Sequence, residues 1–335
     1  MDQQTFRTVV PMSPSDTKIG HRDQILLIGS CFSEHIANRL NEHKFQVAKN
    51  PYGILYHPLA IAKNLEEIIA HKNYDAIDLV FHKKLWQSWN HHSDFSDLNQ
   101  QDIIEKINST ITSAHKQLKT AKHLIITFGS AWAYRLKSTG ELVANCHKFP
   151  NKEFEKELLS VEKITNRFID LIEQLLVFNP KLNIHFTISP VRHLRDGFRE
   201  NQWSKSTLQL AVQQLQKKYN QLHYFPSYEL VMDDLRDYRF YNEDMVHPSN
   251  VAINYVWGLF SEVYFTPATL AINKQISKLI SSSHHRPFQP ASEAHQEFIR
   301  TTLESIQNLK KQYSFLDFKT EIDLLEAQMI YPLST

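Results

Sequence analysis

The sequence predicts an α/β protein: a doubly wound, flavodoxin-like parallel sheet with helices on both faces, followed by a C-terminal helical extension. Three observations predict it. Short apolar runs of strand length alternate with longer stretches of helical period, as in successive βαβ units. Several of these runs are continuously apolar rather than alternating, which is the pattern of strands covered on both faces. The conspicuous motifs fall where such runs end, the edge at which open α/β sheets carry their sites.

Taken in order, residues 25–29 read as a buried strand that closes on Gly29. Residues 33–43 read as a helix, with Ile36, Ala37 and Leu40 on one face and Ser33 as its N-cap. Val47 marks a short second strand. Residues 59–70 and 102–119 are helical, and 124–128 form a buried strand ending on Gly129. Helix 160–176 leads to strand 183–188, which stops at Ser189-Pro190. Helix 206–219 leads to a last strand, 223–225, ending at Pro226, and residues 251–260 form a further helix.

Two segments lie outside this alternation. Residues 72–100 hold Trp86, Trp89, His91, His92 and Phe95 in a polar setting. They read either as an insertion over the mouth of a site or as a loop packed by its own aromatics. Residues 266–335 read as charged helices, 294–313 and 321–329 among them, with a hinge at Ser281-Ser282-Ser283-His284-His285. The expected organisation is therefore an α/β domain over 1–265 and a helical extension over 266–335. The extension would pack on the sheet or on a partner, a homo-oligomer included.

Composition excludes several classes. The 335 residues carry 37 Lys and Arg against 36 Asp and Glu, so no strong field favours nucleic acid or an anionic membrane. Residues 1–7 lack a signal-peptide core, and no run approaches the roughly 18 apolar residues of a membrane span. With only two cysteines, Cys31 and Cys146, there is no disulfide framework, and a cytoplasmic setting is expected. The chain has no Cys-x-x-Cys or His-x-x-x-His pair, so neither a metal nor another cofactor is expected.

Two constellations carry chemistry. Gly29-Ser30-Cys31-Phe32 places a thiol at a strand-to-helix turn, where N–H groups and the helix dipole favour an anion and lower a thiol pKa. The alternative is a buried structural cysteine. Asp244-x-x-His247-Pro248 places a carboxylate one turn from an imidazole. Asp244 can then orient His247 as a general base. Arg192, Arg195 and Arg199 read as an anion hold or as a solvated face, and His193 is given no role.

Further stretches complete a pattern: Asn50-Pro51-Tyr52-Gly53, Trp86-Gln87-Ser88-Trp89-Asn90-His91-His92-Ser93, and Phe128-Gly129-Ser130-Ala131-Trp132-Ala133-Tyr134. Ala144-Asn145-Cys146-His147-Lys148 and Ser189-Pro190-Val191-Arg192 follow. Together and in this order, over roughly the first four-fifths of the chain, they resemble the GSCFA family, with Ser33 in the place of the motif's alanine. That family is similar to the SGNH (GDSL-like) hydrolases. The resemblance implies an SGNH-hydrolase-like sheet and a nucleophile at Cys31, or at Ser30 if the register is shifted by one. It implies Gly53 as an oxyanion N–H donor. Where a Gly-x-Asn would stand, the chain reads Gly129-Ser130-Ala131, so the asparagine is missing and Asn145 is its candidate substitute. Gly129, His91, His92, His147 and Trp132 are the candidate binding residues. The expected activity is an esterase or acyltransferase on an O-acyl group of a carbohydrate or small-molecule ester. The competing expectations are a non-catalytic ligand-binding module and a scaffold that dimerises through its C-terminal helices.

Overall fold

A computed structural model describes residues 8–330; the segment 1–7 and the last residues of the C-terminal extension lie outside the described residues. From the N-terminus, β1 (Gln24–Gly29), α1 (Cys31–Glu42), β2 (Gln46–Lys49) and α2 (Pro58–Ile69) come first. A short hairpin of β3 (Val80–His82) and β4 (Leu85–Gln87) precedes α3 (Gln100–Thr120) and β5 (His123–Phe128). Next, β6 (Trp132–Leu136), β7 (Leu142–Val143) and β8 (Phe154–Leu158) pair antiparallel as a separate sheet. Then come α4 (Val161–Phe178), β9 (Asn183–Ile188), α5 (Phe198–Lys218), β10 (Leu222–Phe225), the single turn α6 (Ser227–Glu229) and α7 (Asn250–Tyr264). The chain closes with α8 (Pro267–Ser283), α9 (Glu293–Gln312) and α10 (Lys319–Glu326).

The central sheet has five strands, all parallel, in the order β10-β9-β5-β1-β2. Numbered along the chain this is 2-1-3-4-5, the flavodoxin-like doubly wound order, and its switch point lies between β1 and β5. Alternation along the strands explains the two layers of helix. Leu26, Ile28, Leu124, Ile126, Ile184 and Phe186 face α2, α3, α4 and α5. Ile25, Leu27, Ile125 and Phe225 face α1 and α7. Both faces are covered, so the strands read as unbroken apolar runs. Among the described residues no helix is long and apolar enough to cross a membrane.

Several details differ from the expectation, among them Ser281–Ser283 of the expected hinge, which lie inside α8, and the β3–β4 hairpin. α1 begins at Cys31, with Ser30 as its N-cap residue, and Ser33 is buried inside the first turn. The cause is Gly29, which turns the chain at φ +140° immediately after the strand. α5 begins at Phe198 rather than at 206, and α10 ends at Glu326 rather than at 329. The sheet of β6, β7 and β8 has no counterpart in the sequence reading. In the 72–100 insertion, the His91 ring meets Tyr74 edge-on at 5.2 Å and lies 4.9 Å from Phe95, and it stacks on Tyr52 outside the insertion at 4.3 Å. The insertion is thus packed by its own aromatics. The C-terminal helices share a core of Ile276, Ile299, Ile306 and Phe318. They dock on the α/β part through the Lys44–Glu321 ion pair at 2.7 Å and the His21–Asn273 hydrogen bond at 2.9 Å.

Buried imidazoles tie this fold to pH. His57 caps α2: its Nδ1 accepts from the Ala60 N–H at 3.1 Å, and its Nε2–H donates to the Val143 carbonyl at 3.0 Å. Burial pulls its pKa down from 6.5 to about 4. Burial also holds His185, which lies between His123 and His223, well below the usual histidine range. A histidine depressed in the folded state binds its proton more readily when unfolded. Its contribution to stability is full above about pH 6.5 and declines as pH falls toward 4. For His57 the loss is on the order of 3 kcal/mol. Urea unfolding should show the midpoint falling steadily between pH 7 and pH 4.5. His57→Asn, a cap that does not titrate, should show a shallower fall.

Candidate active site

The turn from β1 into α1 is held from three sides. The Gly29 N–H donates to Asn50 Oδ1 at 3.0 Å, the Gly29 carbonyl accepts from the Leu55 N–H at 2.8 Å, and the Ser30 N–H donates to the Thr127 carbonyl at 3.1 Å. Only glycine fits at position 29, since a Cβ there would stand 2.1 Å from the Thr127 oxygen. The turn delivers Cys31 to the first helical position, half-buried at the carboxyl edge of the sheet. The N–H groups of a helix's first turn have no partner inside the helix. Ser30 is fully buried, and among the described residues its Oγ has no hydrogen-bond partner.

The thiol is not acidified. Burial pushes the Cys31 pKa up; the charge of Lys205 and the N–H groups of Phe32 and Cys31 pull the other way without cancelling it. The expectation of a lowered thiol pKa is thus corrected: desolvation outweighs the helix terminus. Cys146 is likewise a free thiol, pushed up by burial to about 11.

Beneath the turn lies Lys205 of α5, 1 % exposed. Its Nζ donates to the Gly129 carbonyl and to the Ser189 carbonyl, each at 2.7 Å, and so ties the ends of β5 and β9. Burial draws its pKa down to about 7, opposed by Cys31. The sequence reading missed this residue, although its signal was present. Asn201, Ser204, Lys205, Leu208, Ala211, Val212 and Leu215 form the buried stripe of α5 at helical period, with the lysine inside it.

The loop before α7 brings in the second pair. Asp244 Oδ2 accepts from His247 Nδ1 at 2.6 Å, while its Oδ1 accepts the N–H groups of Val246 and His247 at 2.9 Å. These bonds hold the Asp244 carboxyl at about 2. Arg192 pins the loop to the end of β9. Its guanidinium donates to the Met245 carbonyl and lies 4.5 Å from the Tyr241 ring, and the Val246 carbonyl accepts its N–H at 3.3 Å. His35, one turn along α1 from Cys31, feels the charge of His247. His193, lowered to about 4 chiefly by burial, feels both Lys205 and His247. Tyr56 feels Cys31 and meets the His193 ring edge-on at 5.6 Å. Cys31, Lys205, His193 and His247 thus gather at one edge.

The remaining predicted residues have their polar groups engaged in other bonds. The Gly53 N–H donates to the Asn50 carbonyl at 2.7 Å, and the N–H groups of Gly129 and Ser130 both donate to the Tyr56 carbonyl at 2.9 Å. None of these is free to hold an oxyanion, which corrects the roles expected of Gly53 and Gly129. Gly53 instead permits close packing, since a Cβ there would lie 2.3 Å from that of His92. Asn145 accepts from the His147 N–H at 2.8 Å and donates to Ser93 Oγ at 3.3 Å, inside the insertion's own network. His91 is fully buried and bonds Ser88 Oγ through Nδ1 at 2.9 Å. His147 donates to the Ser88 carbonyl at 2.7 Å, and His92 pairs with Asp94 at 3.1 Å. Trp132 donates to the Glu200 carbonyl at 3.2 Å, with Lys156 4.4 Å from its ring. Among the described residues no three His, Cys, Asp or Glu side chains are grouped to hold a metal ion.

Gly29→Ala should collapse this arrangement. Thermal unfolding should show a loss of about 3 kcal/mol or more, because the clash is with backbone rather than with a side chain that can move.

The model of the GSCFA family matches residues 24–260, more than half of the chain, and that of the GSCFA domain protein, C-terminal domain, matches residues 276–331. No curated protein matches the chain. A family match from the first strand of the sheet to the helix behind His247, with Cys31 and His247 both inside it, is sufficient: the chain belongs to the GSCFA family.

Proposed function

We propose that the chain is a thiol-dependent esterase or acyltransferase, SGNH-like in its arrangement, acting on an O-acyl group of a carbohydrate or small-molecule ester. The observation that carries the reading is the Asp244–His247 pair, fixed on a pinned loop at the same sheet edge at which Cys31 heads α1. Cys31 is preferred to Ser30 as nucleophile because Ser30 is fully buried. A thiol that rests protonated needs a base, and His247 is the base with an orienting carboxylate. As Cys31 Sγ bonds the acyl carbon, His247 takes the thiol proton. It returns that proton to the departing oxygen as the C–O bond breaks and a thioester remains. The oxygen of water or of an acceptor hydroxyl then bonds the acyl carbon as His247 takes its proton, and the C–S bond breaks as that proton passes to the Cys31 sulfur. With Gly53 and Gly129 engaged, the oxyanion falls to the N–H groups of Cys31 and Phe32 at the helix terminus. Two free thiols suit a reducing, cytoplasmic setting.

A second reading is favoured by one observation, the engagement of the Gly53 and Gly129 N–H groups. Without them the oxyanion site is lean, and a ligand-binding module that kept the fold would look the same.

Peptide mapping after incubation with p-nitrophenyl acetate separates the two. An acyl adduct should form on Cys31, vanish in Cys31→Ala, persist in Ser30→Ala and form slowly in His247→Ala. An adduct on Ser30 would shift the register by one. No site-specific adduct at all would favour the binding module. Asp244→Asn, exposed and remote from the core, should leave the unfolding temperature unchanged. It should slow acylation by about two orders of magnitude or more, because the imidazole loses its oriented tautomer.

A further inference from the structure

We propose that Lys205 is the buried counter-charge of the Cys31 thiolate, a positioning residue that decides how readily the sulfur ionises. The proposal rests on Cys31 being the reactive group, as in the reading above.

The geometry comes from three elements. α5 carries the lysine inward on its buried stripe, and β5 and β9 end in the carbonyls of Gly129 and Ser189 that receive its Nζ at 2.7 Å each. Gly129 in turn packs under the β1–α1 turn: a Cβ on it would stand 3.1 Å from the Ser30 Cβ, one residue before Cys31. A buried ammonium has three N–H donors and no access to water, so it requires three acceptors. Two are these carbonyls. The Tyr228 ring on α6 lies 5.6 Å from the Lys205 Nζ, whose charge is felt by Cys31 on α1 and by His193 after β9. The sulfur and the Tyr228 phenol are the groups among them that ionise to a negative charge, and burial pushes both up, the phenol from the higher ordinary value. The lysine's charge, held at the base of the β1–α1 turn, offsets the desolvation of the thiolate. Each charge is costly in this site without the other. A neutral Lys205, with two N–H donors for two carbonyls, matches a neutral thiol. A proton lost by the thiol and one held by Nζ leave the site with the same total charge, so the ion pair and the neutral pair differ only in where the charge stands.

A purely structural lysine would tie β5 to β9 and leave the thiol alone, so the test reads the sulfur. The pH dependence of iodoacetamide alkylation would be followed by peptide mapping in wild type and Lys205→Met. Cys146, half-buried elsewhere, serves as the internal reference. The expected result is an alkylation rate at Cys31 about tenfold lower or more at pH 8 in Lys205→Met, with the Cys146 rate unchanged. Equal Cys31 rates in the two proteins overturn the proposal. Should Lys205→Met fail to unfold cooperatively, the lysine amine can be titrated by NMR in wild type and Cys31→Ser. Loss of the thiolate should lower or simplify that titration, and superimposable curves overturn the proposal. Alkylation needs no ester turnover. A Lys205-dependent thiol that never forms an acyl adduct would therefore keep this inference and remove the esterase reading.

Discussion

The backbone of Gly29 runs so close to Thr127 that a Cβ would stand 2.1 Å from its carbonyl oxygen, and the position of the candidate site follows from that approach. It allows the Ser30 N–H to reach β5 and lets α1 begin at Cys31, directly over the gap between β1 and β5. In this strand order the chain leaves that gap in opposite directions, so the loops on either side part and a crevice opens. Asn50 reinforces the turn by accepting the Gly29 N–H. A residue with a side chain at position 29 would push β1 from β5, and with it Cys31 from Lys205.

Strand ends in a parallel sheet present carbonyls that no neighbouring strand satisfies, and leaving one buried and unpaired costs about 1–3 kcal/mol. Here two of the groups that meet this need are cations. Lys205 closes the ends of β5 and β9, and Arg192 closes the loop that carries Asp244 and His247. The same bonds that complete the backbone's hydrogen bonding therefore fix where charge stands in the crevice. That coupling is why His193, to which the sequence assigns no role, lies within the fields of both Lys205 and His247.

The five sheet strands and the helices between them were legible because their signal is local: unbroken apolar runs, helical period, and proline or glycine at the ends. The start of α1 was not legible, because it depends on the contact of Gly29 with Thr127, far away in sequence. The sheet of β6, β7 and β8 was missed because its strands are short and only partly buried, leaving little period to read. Asp244 and His247 were legible as a pair from their spacing. Lys205 was passed over because a lysine is seldom buried, even though its neighbours at helical spacing are. Gly53 and Gly129 show the opposite difficulty. A glycine in a motif signals a close approach or an unusual φ, but not whether its N–H is still free, and in both cases a carbonyl has taken it.

A thiol at a helix terminus is pulled two ways, and magnitude decides the outcome. The N–H groups and the dipole favour the thiolate only within the first turn, by an amount that rarely exceeds about 2 kcal/mol. Removing a charge from water costs more than that unless a partner stands close. At Cys31 burial prevails, so the resting negative charge of the site lies on Asp244, exposed and held at about 2, rather than on sulfur. The proposed reaction on an acyl group would require charge to move inward at the moment of attack, from a solvated carboxylate–imidazole pair to a half-buried sulfur. A substrate that excludes water from the crevice makes that move harder for the thiolate alone and easier for a thiolate matched by a buried cation. The effect of Lys205 on the sulfur would therefore grow with a substrate that excludes water, which a surface lysine at the same distance would not provide.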